Sequence, residues 1–470
     1  MTVNNEKDTQ IYRDKISIVD KKGKRNWIYA RKPDGPIYNR RSVFSFLLLL
    51  ILFGTPFLKM NGHPFVLLNF IERKFILFGV PFVPQDFYLF GLAMITFIVF
   101  VILFTVIFGR VFCGWACPQT VFLEMVFRKI EFFIEGDSFQ QKKLDQIPWN
   151  SKKIFKKLSK WIIFYLISFI IGNTFLAYII GIDPLFAIIT DSPLNHLVGF
   201  ISIIIFTSIF YFVFAYFREY ACIYVCPYGR LQGVLLDSNS MVISYDPVRG
   251  EPKGKINKKE VRALGDCIDC KMCVDVCPTG IDIRNGTQLE CVNCTACVDA
   301  CNNVMVKINK PKGLIRYDSA NGILNNMGFK ITPRVVGYSI VLLLLLILQV
   351  VLFANRKDVD MNILRTPGLL FQEQPGNKIT NLYNINITNK TFDNVPISLK
   401  LKDIDGELKL IGNELNLEPA GKIDSQLLIF VDKEKIKKMN TQFKVQVYSN
   451  GKLLNELEST FNGPVQNINN

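Results

Sequence analysis

Residues 267–280 read CIDCKMCVDVCPTG, and residues 289–303 read LECVNCTACVDACNN. The first run follows C-x2-C-x2-C-x3-C-P through Cys267, Cys270, Cys273, Cys277 and Pro278. The second repeats the spacing through Cys291, Cys294, Cys297 and Cys301, with Asn302 in place of the proline. Two residues between cysteines let a tight loop place three thiolates on three corners of an iron–sulfur cubane. The fourth cysteine of such a run ligates the other cluster. The spacing therefore assigns Cys267, Cys270, Cys273 and Cys301 to one 4Fe–4S cluster and Cys291, Cys294, Cys297 and Cys277 to the second. Disulfides are disfavoured if the segment faces a reducing compartment. Eight evenly spaced cysteines do not demand the paired CxxC sets of structural zinc.

The rest of the chain decides that compartment. Of 470 residues, 50% are apolar and 13% aromatic, above the usual globular share. The excess lies in five blocks: Phe44 to Phe57, Phe87 to Phe108, Trp161 to Ile180, Leu197 to Phe217 and Val335 to Ala354. The last four are long enough to cross the ~30 Å hydrocarbon of a bilayer. The first contains Gly54 and Pro56, which blurs its ends. Arg40 and Arg41 before it form no export signal, because no small-residue cleavage site follows. The net charge of +15 is set by loops rather than by a nucleic-acid face. Lys and Arg gather from Lys21 to Arg41, from Arg110 to Lys160 and from Arg218 to Lys330, whereas 181–196 has none and 59–86 only Lys59, Arg73 and Lys74. Basic loops stay on the cytoplasmic side. The expectation is a multi-pass protein of a bacterial inner membrane, with N-terminus and cysteine module cytoplasmic and everything after the fifth span periplasmic.

The two hairpins of spans resemble a duplication. Each ends in CxxxCP, GRVFCGWACPQT after the second span and FREYACIYVCPYGR after the fourth. On a helix, Cys113 and Cys117 would share a face, as would Cys222 and Cys226, and Pro118 and Pro227 would end those helices. The four thiols then lie at one membrane depth as a candidate copper or redox site, soft ligands suited to Cu(I), Zn or Fe–S. The alternative is four small buried residues at span ends. Arg110, Arg218 and Arg230 are expected to favour the thiolates. His63 and His196 are the only histidines, which excludes intramembrane bis-histidine haem; both read as loop residues.

Residues 61–83 read as an interfacial segment or loop, and Asp237 to Gly265 as a basic linker. From about Asp358 the pattern turns to period-two alternation. Tyr383, Ile385 and Ile387 alternate with Asn384, Asn386 and Thr388, and Phe443, Val445 and Val447 with Lys444 and Gln446. Asp405-Gly406 and Asn450-Gly451 mark turns, the latter a hairpin cue. This reads as an immunoglobulin-like β-sandwich.

In that order, membrane helices, paired CxxxCP motifs, a two-cluster module, a last span and an external sandwich resemble the FixG/CcoG (RdxA) family of cytochrome c oxidase accessory proteins. The motifs VFCGWACPQTVF, CIYVCPYGRLQGVLLD and CIDCKMCVDVCPTGIDIRNGTQLECVNCTACVDAC carry the resemblance. It implies assistance in assembling cbb3-type oxidase by reducing Cu(II) to Cu(I), a cupric reductase activity. Cys113, Cys117, Cys222 and Cys226 would then form the copper or redox site, and two 4Fe–4S clusters would be the cofactors. Expected partners are the membrane, oxidase subunits, a copper transporter or copper chaperone, and an unnamed electron donor, with no nucleic acid. The competing function is an electron conduit or redox sensor serving another respiratory complex. The expected architecture is a multi-domain chain: an α-helical membrane bundle of about five spans, an inserted bacterial-type two-cluster ferredoxin module and an immunoglobulin-like β-sandwich. Its divisions are a cytoplasmic basic tail 1–41, a four-span domain 42–218, linker and ferredoxin module 219–333, a fifth helix 334–355 and a sandwich 356–470.

Overall fold

A computed structural model describes residues 24–70, 74–255, 264–325, 331–368, 370–411, 416–419, 421–436 and 438–464. The start of the basic tail and Arg73 lie outside the described residues. Among the described residues, five helices are long and apolar enough to cross a membrane. They comprise Pro36–Gly54 (α1, its apolar run reaching Phe57), Phe87–Phe108 (α2), Ser151–Ile180 (α3), Leu197–Phe212 (α4, continued as a π-helix to Phe217) and Pro333–Ala354 (α5). The first begins before its apolar block, because Pro36 sits at a helix start, where its missing N–H costs nothing. In the fifth span only 6% of the most apolar window is buried by protein. A side-chain surface that apolar is held in lipid, not water.

The chain divides into two compact units. One comprises residues 1–56, 94–177 and 181–346. Its helical core joins Phe122, Leu123 and Phe127 to Phe164, Ile171 and Phe214. Phe127 stacks on Phe214 at 5.0 Å and meets Phe164 edge-on at 4.9 Å, the arrangements aromatic quadrupoles favour. The ferredoxin module belongs to this unit and starts earlier than the cysteines. A strand Val242–Tyr245 pairs antiparallel with Ile315–Asp318, and Ile243, Leu314 and Ile315 are each 1% exposed. The segment expected to be a linker therefore contributes a core strand, because its alternation is too short to stand out.

The second unit comprises residues 57–93, 178–180 and 347–470. Its sandwich pairs Lys378–Asn389 with Lys422–Asp432 and Val359–Arg365 in one sheet, while Ser398–Lys402, Asn440–Ser449 and Lys452–Asn462 form the other. The alternating residues point as the sequence expected: Tyr383, Ile387, Val445 and Val447 are 0% exposed. Asn450 (φ 47°) and Gly451 (φ 80°) form the hairpin turn, both left-handed as a type I′ turn requires. The stretch 61–83, expected as an interfacial segment or loop, carries strands: Lys59–Met60 pairs with His63–Pro64, and Val66–Asn69, Lys74–Leu77 and Val80–Phe82 form a three-stranded antiparallel sheet. Asp86, 0% exposed at its side chain, pairs with Arg356 at 2.8 Å and with Lys390 at 2.7 Å.

Candidate iron–sulfur and thiol sites

The eight ferredoxin cysteines fall into two groups around two cavities. One, of about 340 Å³, is walled by Cys267, Cys270, Cys273 and Cys301 with Met305 and Leu314. The other, of about 350 Å³, is walled by Cys277, Cys291, Cys294 and Cys297. Cys273 borders both. These are the two sets that the spacing assigns, and four soft thiol donors against apolar walls fit a 4Fe–4S cluster each. The loops reach this shape by a shared device. Asp269 and Lys271 in the first, Asn293 and Thr295 in the second, have φ of 50°, 59°, 52° and 67°. Asp and Asn tolerate that region, whereas Lys and β-branched Thr sit there at a cost. Arg284 clamps the first loop by pairing with Asp269 and Asp282.

Asn302 explains the missing second proline. Cys301 and Asn302 lie inside the helix Ala296–Lys307, whereas the equivalent first helix is only Met272–Asp275. A proline there would break the longer helix. Asn302 instead accepts the Gly313 N–H through Oδ1 at 2.9 Å.

The CxxxCP segments are built differently from the expectation. Cys113 lies in a short helix, Val111–Trp115, and Cys222 in a π-turn, Ala221–Val225. Cys117 and Cys226 are extended residues capping the next helices, which Pro118 and Pro227 begin rather than end. Proline at the first helical position loses no hydrogen bond, which is the reason for the reversal. Further π-helices occupy Val121–Phe127 and Val213–Phe217; such segments gather at functional sites. Between two of them Arg218 has φ 51° and ψ −118°.

The two motifs are braced to one another by Arg110. It donates from Nε to Gln232 Oε1 and from Nη2 to the Gly229 carbonyl, both at 2.6 Å. Cys113 Sγ faces the same Gln232 oxygen at 3.2 Å. The arginines do not activate the thiols as expected. Burial pushes the Cys113 thiol up to about 11 against the opposing pull of Arg110, and burial followed by the neighbouring thiols pushes Cys222 up to about 12. Arg218 is spent on Glu131 at 3.1 Å; the Arg230 side chain lies outside the description. Among the described residues, no three His, Cys, Asp or Glu side chains are grouped to hold one metal ion. Cysteines surrounding a cubane-sized space need not be so grouped. At the CxxxCP level the thiols act on one another electrostatically, since Cys117, Cys113 and Cys226 all add to the burial-driven rise at Cys222.

Sequence reasoning missed four features of this site. Gly114 lies so close to the second cysteine loop that a Cβ there would stand 2.3 Å from the Val292 carbonyl. Arg41, 2% exposed, donates to the Gly114 carbonyl at 2.8 Å. The residues before α1 and its first turn dock on the ferredoxin module: the Arg31 N–H reaches the Asp275 carbonyl at 2.7 Å, and Asp299 Oδ2 accepts the Tyr38 N–H at 2.8 Å. Finally, a cavity of about 530 Å³ carries Asp237 and Glu290 and reaches Arg110. Only the buried arginines ahead of apolar runs gave any sequence signal.

Known proteins show the same parts. Residues 217–320 match a 4Fe-4S dicluster domain, residues 90–135 a 4Fe-4S binding domain, and residues 349–464 an IG-like fold at the C-terminal of FixG, putative oxidoreductase. The second match contains Cys113 and Cys117. The chain is 34% identical to Protein RdxA of Cereibacter sphaeroides, over 62% of each chain. It is 36% identical to the Nitrogen fixation protein FixG of Rhizobium meliloti, over 64% of this chain and 62% of that one. The matched region thus spans under two thirds of either relative. A crystal structure of a FixG-related protein from Vibrio parahaemolyticus aligns over 23% of this chain and all of its own, with 18% identity and a TM-score of 0.21. The chain is a membrane-spanning iron–sulfur protein homologous to RdxA and FixG.

Proposed function

We propose that this homologue of FixG and RdxA passes single electrons to Cu(II), yielding Cu(I) for the assembly of a cbb3-type cytochrome c oxidase. The observation that carries the reading is that Cys113, like Cys297, packs on the buried group of Val276, Val292, Cys294 and Ala296 beside the second cluster cavity. It puts the soft-ligand level of the membrane domain next to an electron store. Bound 4Fe–4S clusters supply one-electron storage at low potential. The protein's part is to hold them: Cys267, Cys270, Cys273 and Cys301 at the first cavity, Cys277, Cys291, Cys294 and Cys297 at the second. Cys113, Cys117, Cys222 and Cys226 form the level at which copper meets the electron, and their sulfurs prefer the cuprous product. Asp237 and Glu290 give a hydrated cation an approach to that level. The sandwich is a docking module for oxidase subunits or another assembly factor.

The test is direct. The full chain is purified anaerobically, reduced with dithionite and freed of excess reductant, then given Cu(II) with a Cu(I)-specific chelator. Loss of the reduced-cluster EPR signal in step with chelator colour is the expected result. Clusters that stay reduced beside divalent copper would overturn the reading and leave an electron conduit or sensor.

A further inference from the structure

We propose that the second cluster cavity is the electron outlet of the ferredoxin module, and that Arg110 and Gln232 are positioning residues that hold Cys113 against it. The inference rests on the electron-transfer reading above and adds the order of flow.

The two cavities are not equivalent. At the first, Cys270 is exposed to solvent. At the second, Cys294 is buried and Cys113 packs into the same apolar group as Val292, Cys294 and Cys297. The approach is backbone to backbone, since Gly114 has no room for a Cβ beside the Val292 carbonyl. Arg41 fixes the outer side of that contact through the Gly114 carbonyl. Arg110, from the same motif, closes it with Gln232 beyond the other: Nη1 lies 3.5 Å from the Cys291 carbonyl, while Nε and Cys113 Sγ share Gln232 Oε1. Gln232 is 0% exposed, so its amide is locked between the two. Cys273, on the wall of both cavities, joins inlet to outlet.

The step moves one electron and nothing else. A cluster held by Cys277, Cys291, Cys294 and Cys297 would supply one electron, and Cu(II) at the CxxxCP level would take it up to become Cu(I). No proton or ligand is transferred between groups. A one-electron reductant in solution refills the module at the open first cavity.

Two variants of the full chain test this. Gln232→Glu places a negative charge beside Cys113 and the second cavity, so redox titration followed by EPR should show one cluster signal moving to lower potential. That signal should be the one Cys294→Ser removes, while the one Cys267→Ser removes stays put. Gly114→Ala should keep both clusters, counted by iron and absorbance, yet slow Cu(II)-driven reoxidation about tenfold or more, as small misplacements of reacting groups do. If Gly114→Ala fails to fold, the Gln232→Glu titration decides alone. A shift confined to the first cluster, a shift of both alike, or no shift overturns the assignment. The titration uses no copper, so failure of this route and failure of cupric reduction are read separately.

Discussion

Glu131 is 4% exposed, with Arg218 at 3.1 Å and Lys160 at 3.3 Å. The chain of charges continues from Lys160 through Glu135 and Lys157 to Asp145, which accepts the Tyr29 hydroxyl. In the other direction, Arg128 bridges Glu124 and Glu219. Burial raises the Glu131 carboxyl, but Arg218, Lys160 and Arg128 together outweigh it and hold it at about 2. Glu131→Gln would leave two buried cations short of a partner, a loss of about 3–5 kcal/mol for this class of change. The expected outcome is a lower thermal midpoint in detergent with cluster content unchanged at low temperature; an unaltered midpoint would show that the network adds no stability. The same carboxyl sets a pH dependence. Its folded value lies below the ordinary 4.5, so its contribution is complete above that value and is lost as pH falls toward 2. Acid unfolding of the wild type should therefore include a step that Glu131→Gln lacks. The spacing Glu124, Arg128, Glu131, Glu135 was readable as one helical face, but nothing in it disclosed partners as distant as Lys160 and Arg218.

At the scale of elements, the two cysteine loops show what local sequence can and cannot specify. Ligand spacing is a local constraint, so two four-cysteine sets can be assigned from sequence, and two cavities are lined by these cysteines, with Cys273 on both. The helices after the loops differ for a reason that is equally local. Met272–Asp275 stops before Pro278, while Ala296–Lys307 runs through Asn302. Asn302→Pro would restore the repeated motif yet cost about 3 kcal/mol or more in a helix interior. It should loosen Cys301 and Met305 together, since both are buried on that helix. Purified Asn302→Pro is expected to lose one cluster of two by iron and EPR counting, the one that Cys267→Ser also removes. Retention of both would mean that the helix is not what holds Cys301. What was not legible is long-range. The docking of residues 24–35 on the module, and the pairing of Val242–Tyr245 with Ile315–Asp318, bring together residues separated by whole spans or loops. The prolines of CxxxCP were misread because a proline both stops one helix and starts another, and only the backbone decides which.

For the whole molecule, both CxxxCP motifs, both cluster cavities and most membrane-helix residues fall in one compact unit, whereas the sandwich, the strands within residues 59–82 and the ends of α2, α3 and α5 at residues 87–93, 178–180 and 347–354 fall in the other. If all five candidate spans among the described residues cross, their odd number would put the residues before α1 and after α5 on opposite sides of the bilayer. Which end is inside is then a question of loop charge. Residues 110–160 and the module region from Arg218 are rich in Lys and Arg, while residues 181–196 carry none. Retention of basic loops in the cytoplasm supports our proposal that the N-terminus and the cysteines lie there, where a reducing environment would keep eight thiols available for iron. On that proposal the sandwich lies outside, where its lack of cysteine would make it indifferent to oxidation. The sidedness has a clear test: fluorescent protein fused ahead of Met1 should glow, and alkaline phosphatase fused after Asn470 should be active, because it folds only after export. The reverse pattern would put the cluster cysteines in an oxidising compartment and remove the physical basis for the iron–sulfur assignment. An inactive phosphatase with a glowing N-terminus would instead require an even number of crossings. The helix to doubt would then be α1, whose apolar run is interrupted by Gly54 and Pro56 and whose N-terminus is tied to the ferredoxin helix through Asp299.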